Sequence, residues 1–412
     1  MIAHKETFVA TIPESVSTNS AQLRTRTIAV FAFFVIVVSF LDTMAQLPVL
    51  PSFIRSLGAG AGMVGIVLAA YSVANMAGNI GAGLVIDRLG RKAGILVGMV
   101  VAGGAVALYA IVGSPLQLLG LRVVHGLGGA ILIPAAFAFS GDAANPTSAG
   151  RAMGRAGAAV ALAAMIGPAA GGLVQATLGA RPLFLSLAAL LIATSVLVLV
   201  FLPESYREVR PDTAPRLRAR RLGPVLRDSR LHFVYAAIFF VQLAMGTLSF
   251  ALPLAVETAG FSAARTGMLF SIFSLVAITF FMAPTAGLSD RYGRPVVIRL
   301  GMFFLMLSLG VLSFGTGLLL MAFAMTVYGI GYGLAFPAMC ATVVDRTDRT
   351  NRGTGFGVFY AVFSLGVAAG PVISGVLVQS GVSPTLVTAG VLGVAQLVLL
   401  VAGHQKDTLP GT

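Results

Sequence analysis

Three ionisable residues, Asp42, Arg122 and His125, stand inside stretches that are otherwise apolar. An acid at mid-helix in a bilayer costs about 2.5–3.5 kcal/mol on insertion scales, so it persists where a partner or a cavity meets it. Such an acid beside a base can hold a proton, release it, or receive a cation in its place. Arg122 can neutralise Asp42, and His125, about one turn from Arg122, can relay a proton or touch a ligand. These three are the expected proton-coupling set. Gln46 follows Asp42 by one turn on the same helical face, Asn75 and Asn79 are spaced likewise, and Gln242 lies near Met245. With Asp42 and Arg122 these are candidate substrate-binding residues. No phosphate-cradling glycine loop, metal-spaced histidine cluster or Ser/His/Asp arrangement occurs in a loop context. No catalytic residue, cofactor or metal site is therefore expected, and an ion gradient is left as the energy source.

The elements that position these residues are membrane helices. Of the 412 residues 57% are apolar and only 10% are Asp, Glu, Lys or Arg. That composition excludes a water-soluble enzyme, a disordered chain and a secreted disulfide scaffold. The single cysteine, Cys340, allows neither an internal disulfide nor a cysteine zinc site. About 20 apolar residues cross a hydrocarbon core of about 30 Å. Twelve stretches qualify: 27–50, 63–86, 93–112, 116–141, 152–178, 182–202, 232–256, 266–286, 296–316, 318–342, 354–379 and 384–403. With the N-terminus cytoplasmic, 23 of the 27 basic residues fall in cytoplasmic segments and three in outer loops. This asymmetry favours twelve helices in a cell (inner) membrane with both termini cytoplasmic. It also accounts for the net charge of +13 without a nucleic-acid partner. Counting about 1.5 Å per residue, Asp42 and Arg122 reach similar depths, so an Asp42–Arg122 ion pair is expected if their helices are neighbours.

The chain repeats itself at an offset of 203 residues. Asp87, Arg88, Gly90 and Arg91 map onto Asp290, Arg291, Gly293 and Arg294; Asp142 maps onto Asp345; Gly167, Pro168 and Gly172 map onto Gly370, Pro371 and Gly375. The predicted organisation is a tail (1–26), a six-helix bundle (27–202), a linker (203–231), a second six-helix bundle (232–403) and a tail (404–412). Two parallel halves imply a pseudo-two-fold axis along the membrane normal with a cavity between them. The repeat fails at the charges: Arg122 maps to Met325, His125 to Tyr328 and Asp42 to Met245. The first half then carries the charge chemistry. The second offers an apolar, aromatic wall that includes Met245, Phe239, Phe270, Phe273, Tyr328, Tyr332 and Phe336.

These blocks resemble the major facilitator superfamily along the whole chain. The run Gly83 to Lys92, with Asp87, Arg88, Gly90 and Arg91, is similar to the family's loop 2–3 signature. Its second copy departs at Ala286 and Pro295. The run Leu119 to Gly129 is similar to the helix 4 signature, with His125 where Gln is common. Gly167, Pro168, Gly171 and Gly172 resemble the helix 5 signature of the antiporter branch, and Leu41 to Pro51 the helix 1 signature of twelve-helix drug/proton antiporters. An acid at position 42 is similar to the vesicular amine transporters of that branch. The resemblance implies an all-α polytopic membrane protein of two pseudo-symmetric six-helix bundles. It also implies a conformational latch in which Arg88 or Arg91 pairs with Asp142, with Asp290, Arg291, Arg294 and Asp345 as its second copy. The helix 5 glycines are expected to seal the contact between the halves.

The function expected is proton-coupled efflux of small lipophilic, cationic or zwitterionic compounds of multidrug type, by a functional monomer whose partners are substrate, protons and the lipid bilayer. A dedicated exporter of one metabolite class is the alternative, with Arg122 holding an anionic group. A transporter-like membrane sensor or assembly factor is the third reading.

Overall fold

The computed structural model describes residues 14–142, 149–203, 225, 227–282, 291–315, 317–347 and 352–407. Among the described residues the regular structure is all helix, as a lipid solvent demands: a helix satisfies its own backbone donors and acceptors. In chain order the helices are α1 (Glu14–Gln46), α2 (Leu50–Ser56), α3 (Ala61–Leu89), α4 (Arg91–Tyr109), α5 (Pro115–Asp142), α6 (Ala149–Leu178) and α7 (Ala180–Phe201). There follow α8 (Ser229–Thr258), α9 (Ala263–Met282), α10 (Arg294–Ser313), α11 (Leu318–Asp345), α12 (Arg352–Gln379) and α13 (Pro384–Asp407). Eleven of them are long and apolar enough to cross a membrane, and α13 adds a shorter apolar run, Pro384–Leu400.

Two differences from the sequence expectation concern the first span. Helix α1 begins at Glu14, inside the expected tail, and ends at Gln46 instead of running on to residue 50. Pro48 is the cause: it disfavours helical backbone at the preceding residue and lacks an N–H. The chain turns there and restarts as α2, with Pro51 in the first turn.

The repeat is visible in the turns. Gly90 separates α3 from α4 with φ 92°, and Gly293 caps α10 with φ 86°. A side chain would be strained at either position, which explains why the two signature copies share this glycine.

Helices α1 and α7 begin and end on the same face as the termini, where Phe31 and Phe201 meet at 6.4 Å. The start of α8 and the end of α11 share that face in the second half, joined by Asp228 and Arg346. At the opposite, distal face the halves close on each other through α3 with α12 and α6 with α9. Leu47 packs into the core of the second half, and Phe250, Ala251 and Leu254 pack into that of the first. Glycines permit this approach. A Cβ on Gly65 would strike the backbone of Pro371, one on Gly375 the backbone of Ala61, and one on Gly172 the backbone of Ala263.

The same faces diverge toward the termini. Gly357 lies five turns from Gly375 on one stripe of α12, yet a Cβ there would meet nothing within 4 Å. Gly157, on the α6 stripe that includes Pro168, is equally clear. Among the described residues the halves thus touch at the distal face and draw apart toward the starts of α6 and α12.

Closure therefore depends on absent side chains. Gly65→Val is expected to disfavour it by on the order of 1–3 kcal/mol, the usual cost of overpacking. In a Cys340→Ser background, a cysteine placed at Ser52 should react faster with an impermeant maleimide when Gly65→Val is added. An unchanged rate would show that the glycine seam does not set closure.

Candidate functional site

Asp42 is 3% exposed and His125 1% exposed. Helix α5 presents His125 to α1, and His125 Nε2 lies 2.7 Å from Asp42 Oδ2. The other carboxylate oxygen, Oδ1, accepts from Gln46 Nε2 at 2.7 Å, across one turn of α1. The far side of the imidazole is held as well: His125 Nδ1 lies 3.0 Å from the Tyr109 hydroxyl. A buried chain thus runs Tyr109–His125–Asp42–Gln46 across α4, α5 and α1. With Asp42 ionised, the imidazole donates from Nε2, and while the ring is neutral Tyr109 donates to Nδ1.

The expected Asp42–Arg122 ion pair is not formed, and the carboxylate's basic neighbour is His125 instead. Residues 122 and 125 point about 60° apart around a helix; position 125 faces α1 and position 122 faces α3. Arg122 donates from Nη2 to the Leu68 carbonyl at 3.3 Å and from Nε to the Val67 carbonyl at 3.5 Å. Its guanidinium lies 4.8 Å from the centre of the Tyr71 ring. Tyr71 also meets the His125 ring edge-on at 4.8 Å. Arg122 is therefore one ring away from the acid, with an aromatic face between them.

Asn75 donates to the Gly126 carbonyl at 3.3 Å, and Asn79 donates to Asn75 Oδ1 at 3.0 Å. This pair ties α3 to α5 beside His125. Gln242 is buried in α8 with an unpartnered Oε1, and its side chain engages the Tyr332 hydroxyl. Gln46 Oε1 and the Tyr328 hydroxyl are buried and unpartnered too. Phe239 stacks edge-on with Phe240, Phe270 is fully buried, and Met245 packs on the second half's core. Phe273, Tyr332 and Phe336 form a connected set of rings on α9 and α11.

Sequence reasoning missed Tyr109 and Tyr71. The available signal was their type: a tyrosine deep in an apolar helix brings a hydroxyl that needs a partner.

The helix 5 motif is a seam in α6. Cβ atoms on Gly167 and Gly171 would strike Met44 and Ala45 of α1, and Gly172 and Pro168 press on Ala263 and Gly267 of α9. The loop 2–3 signature is described only in part. The surroundings of Gly83 and the side chains of Asp87, Arg88 and Asp142 lie outside the described residues, as does all of Asp290. Arg91 donates to the Ile86 carbonyl at 3.2 Å, and Lys92 to the Leu199 carbonyl at 2.8 Å. In the second copy Arg294 pairs with Asp345 at 3.2 Å, joining α10 to α11 within one half. Arg291 lies 5.5 Å from the Tyr292 ring. Beside this pair, Arg346 reaches Asp228 at 2.9 Å. Burial alone would raise the Asp228 carboxyl, but backbone N–H donors of Leu231 and Arg230 and the Arg346 guanidinium outweigh it and hold it below the usual range.

A bundle of bilayer-length helices in two similar halves, with a buried Asp42–His125 contact inside the first, has the form of a membrane transporter. The comparisons are specific. The model of the Major Facilitator Superfamily matches residues 32–283 and 234–410, and the chain belongs to that superfamily. It is a multi-pass membrane transporter and not an enzyme. Multidrug resistance protein 2 of Bacillus subtilis (strain 168) is 26% identical, covering 92% of this chain and 96% of that one. The 3-(3-hydroxy-phenyl)propionate transporter of Escherichia coli (strain K12) is 29% identical over 82% of this chain and 83% of its own. Among solved structures, the nucleoside transporter NupG superposes with a TM-score of 0.74 at 14% identity, covering 91% and 98%. A bacterial homologue of the human lysosomal transporter Spinster gives 0.73 at 14% identity, covering 92% of each chain. These structures share the fold.

Two outcomes follow from the contacts. Tyr109→Phe leaves a buried imidazole nitrogen unpaired, and should lower unfolding stability in nanodiscs by about 1–3 kcal/mol. Asp228→Ala should lower thermal stability near pH 7 by about 1 kcal/mol through the lost helix cap. Because the folded carboxyl is held low, its contribution is present above the ordinary carboxylate range and fades as the pH falls through the folded value. Wild type and variant should therefore converge in acid, as thermal melts at a series of pH values would show.

Proposed function

We propose that this transporter is a proton-coupled antiporter that exports small lipophilic cations or zwitterions, of multidrug type, by alternating access. The observation that carries the reading is the buried Asp42–His125 contact at 2.7 Å with Tyr109 on its far side. In the proton-free state the carboxylate accepts from His125 and Gln46. An arriving proton binds at His125 Nδ1, and the Tyr109 hydroxyl turns from donor to acceptor. The pair then carries no net charge, and a cation loses its attraction to it. Loss of the proton restores the carboxylate's charge for the next cation. Arg122 adds a fixed positive charge nearby, which opposes simultaneous occupation by proton and cation. Export, residence in the inner membrane with cytoplasmic termini, action as a monomer, and halves spanning 27–202 and 232–403 complete the proposal. The relatives named for multidrug resistance support it.

Arg122 favours a second reading. Among the described residues Arg122 engages two backbone carbonyls, the Tyr109 hydroxyl and the Tyr71 ring, with no carboxylate. A substrate carboxylate could supply that partner, and one relative is named for a phenylpropionate. A dedicated exporter of an anionic aromatic metabolite would use Arg122 in this way.

Proteoliposomes with an internal pH dye and an imposed proton gradient separate the two. Several unrelated lipophilic cations should each trigger proton movement, and Asp42→Asn should abolish it. Proton movement that persists in Asp42→Asn would overturn the mechanism. Silence with cations, together with a response to an aromatic carboxylate that Arg122→Gln removes, would establish the second reading.

A further inference from the structure

The segment 47–60 joins two spanning helices without itself crossing the membrane. Pro48 breaks the chain after Gln46, the last residue of α1, and Pro51 lies in the first turn of α2. At the other end the N–H groups of Leu57 and Gly58 turn back on the Ile54 and Arg55 carbonyls. Gly58 takes φ 88°, a conformation that strains a side chain. Helix α2 is therefore a separate rod of 7 residues, set between two backbone breaks on the distal face.

The rod is held to both halves. Its apolar side, Leu50, Pro51, Phe53 and Ile54, is buried. Phe53 meets Phe184 of α7 edge-on at 4.9 Å, and the same cluster takes in Phe250 of α8. On its polar side Ser52 Oγ donates to Glu257 Oε2 of α8 at 2.8 Å. Glu257 is one residue from the end of α8, where the helix dipole disfavours an acid. A hydroxyl donated from the other half offsets that cost and makes the acid an anchor.

A second side-chain bond between the halves, from Ser271 Oγ to the Met165 carbonyl at 2.7 Å, joins two spanning helices, α9 and α6. The Ser52–Glu257 bond differs, because one of its ends sits on the short rod. The inner end of the segment is fixed in the site itself. Gln46 donates to Asp42 Oδ1 through its side chain and accepts from the Val49 N–H through its carbonyl. One residue thus holds the acid and sets the turn into α2.

We propose that α2 is a strap across the distal contact between the halves, and that Ser52 and Glu257 are positioning residues of the transport cycle. Their bond is made while the distal face is shut and broken when it opens. The strap lifts from Glu257 by turning at Pro48 and Gly58, while Gln46 keeps its inner end at the acid. The proposal rests on the alternating-access part of the proposed function, and it holds whether the cargo is a cation or an anion.

The test is cysteine labelling with an impermeant maleimide, on the full chain in nanodiscs, where the reagent reaches both faces. The background is Cys340→Ser. Leu254→Cys reports the distal face, since Leu254 of α8 packs into the first half's core. Gly157→Cys reports the opposite end, where that position is clear of neighbours. Ser52→Ala and Glu257→Ala should each raise the rate at Leu254→Cys roughly threefold, in keeping with the net worth of one hydrogen bond. Each should lower the rate at Gly157→Cys. The two together should act no more strongly than one, because they remove the same bond. Ser52→Thr keeps the hydroxyl and should label as wild type does. An unchanged rate at Leu254→Cys would overturn the strap, as would a double variant whose effects multiply. A rise at both reporters would overturn it too, since that marks a loosened fold. A rise at Leu254→Cys with an unchanged rate at Gly157→Cys would keep the strap and sink the alternating-access reading.

Discussion

A carboxylate inside an apolar bundle must have both its oxygens answered. Around Asp42 the answers come from Gln46, on its own helix, and from His125 on α5. The rest of the first half is arranged about this demand. Tyr109 on α4 holds the imidazole so that its Nε2 faces the acid. Tyr71 on α3 fills the space between the imidazole and Arg122. Asn75 fastens α3 to α5 at Gly126, one residue beyond the histidine. Low dielectric makes each of these bonds stronger and each orphaned group more costly.

The two halves meet the same constraint by opposite means. At the distal end, glycines remove side chains so that backbones touch, and α6 grips both α1 and α9 through the segment Gly167 to Gly172. Toward the ends of α9 and α11, the second half carries linked rings instead. Among the described residues two ion pairs at the rim, Arg294–Asp345 and Asp228–Arg346, fasten α10, α11 and the start of α8 to one another.

Much of this was legible in the residues. Long apolar runs gave the crossings, because lipid leaves a spanning chain few alternatives to helix. The 203-residue offset marked two similar halves, and the shared glycine at 90 and 293 marked equivalent turns. Asp42 stood out through its cost. The partner of Asp42 was not legible, because depth along a helix follows from counting but direction around it depends on where neighbours pack. Arg122 and His125 differ by three residues, and only the placement of α1 and α3 around α5 sends one to the carbonyls and the other to the acid. The break at Pro48 was readable from proline chemistry, yet the apolar run through residue 50 masked it.

The sequence by itself determined the solvent, the succession of long apolar helices, the repeat and the identity of the costly charge. These depend on composition and on local periodicity, which a linear chain carries in full. The tertiary structure alone decided which base answers Asp42, at which face the halves touch, and that rings from α9 and α11 join into one set. Those are relations between residues far apart in the chain, fixed by the angles at which helices pack, and no local pattern encodes them.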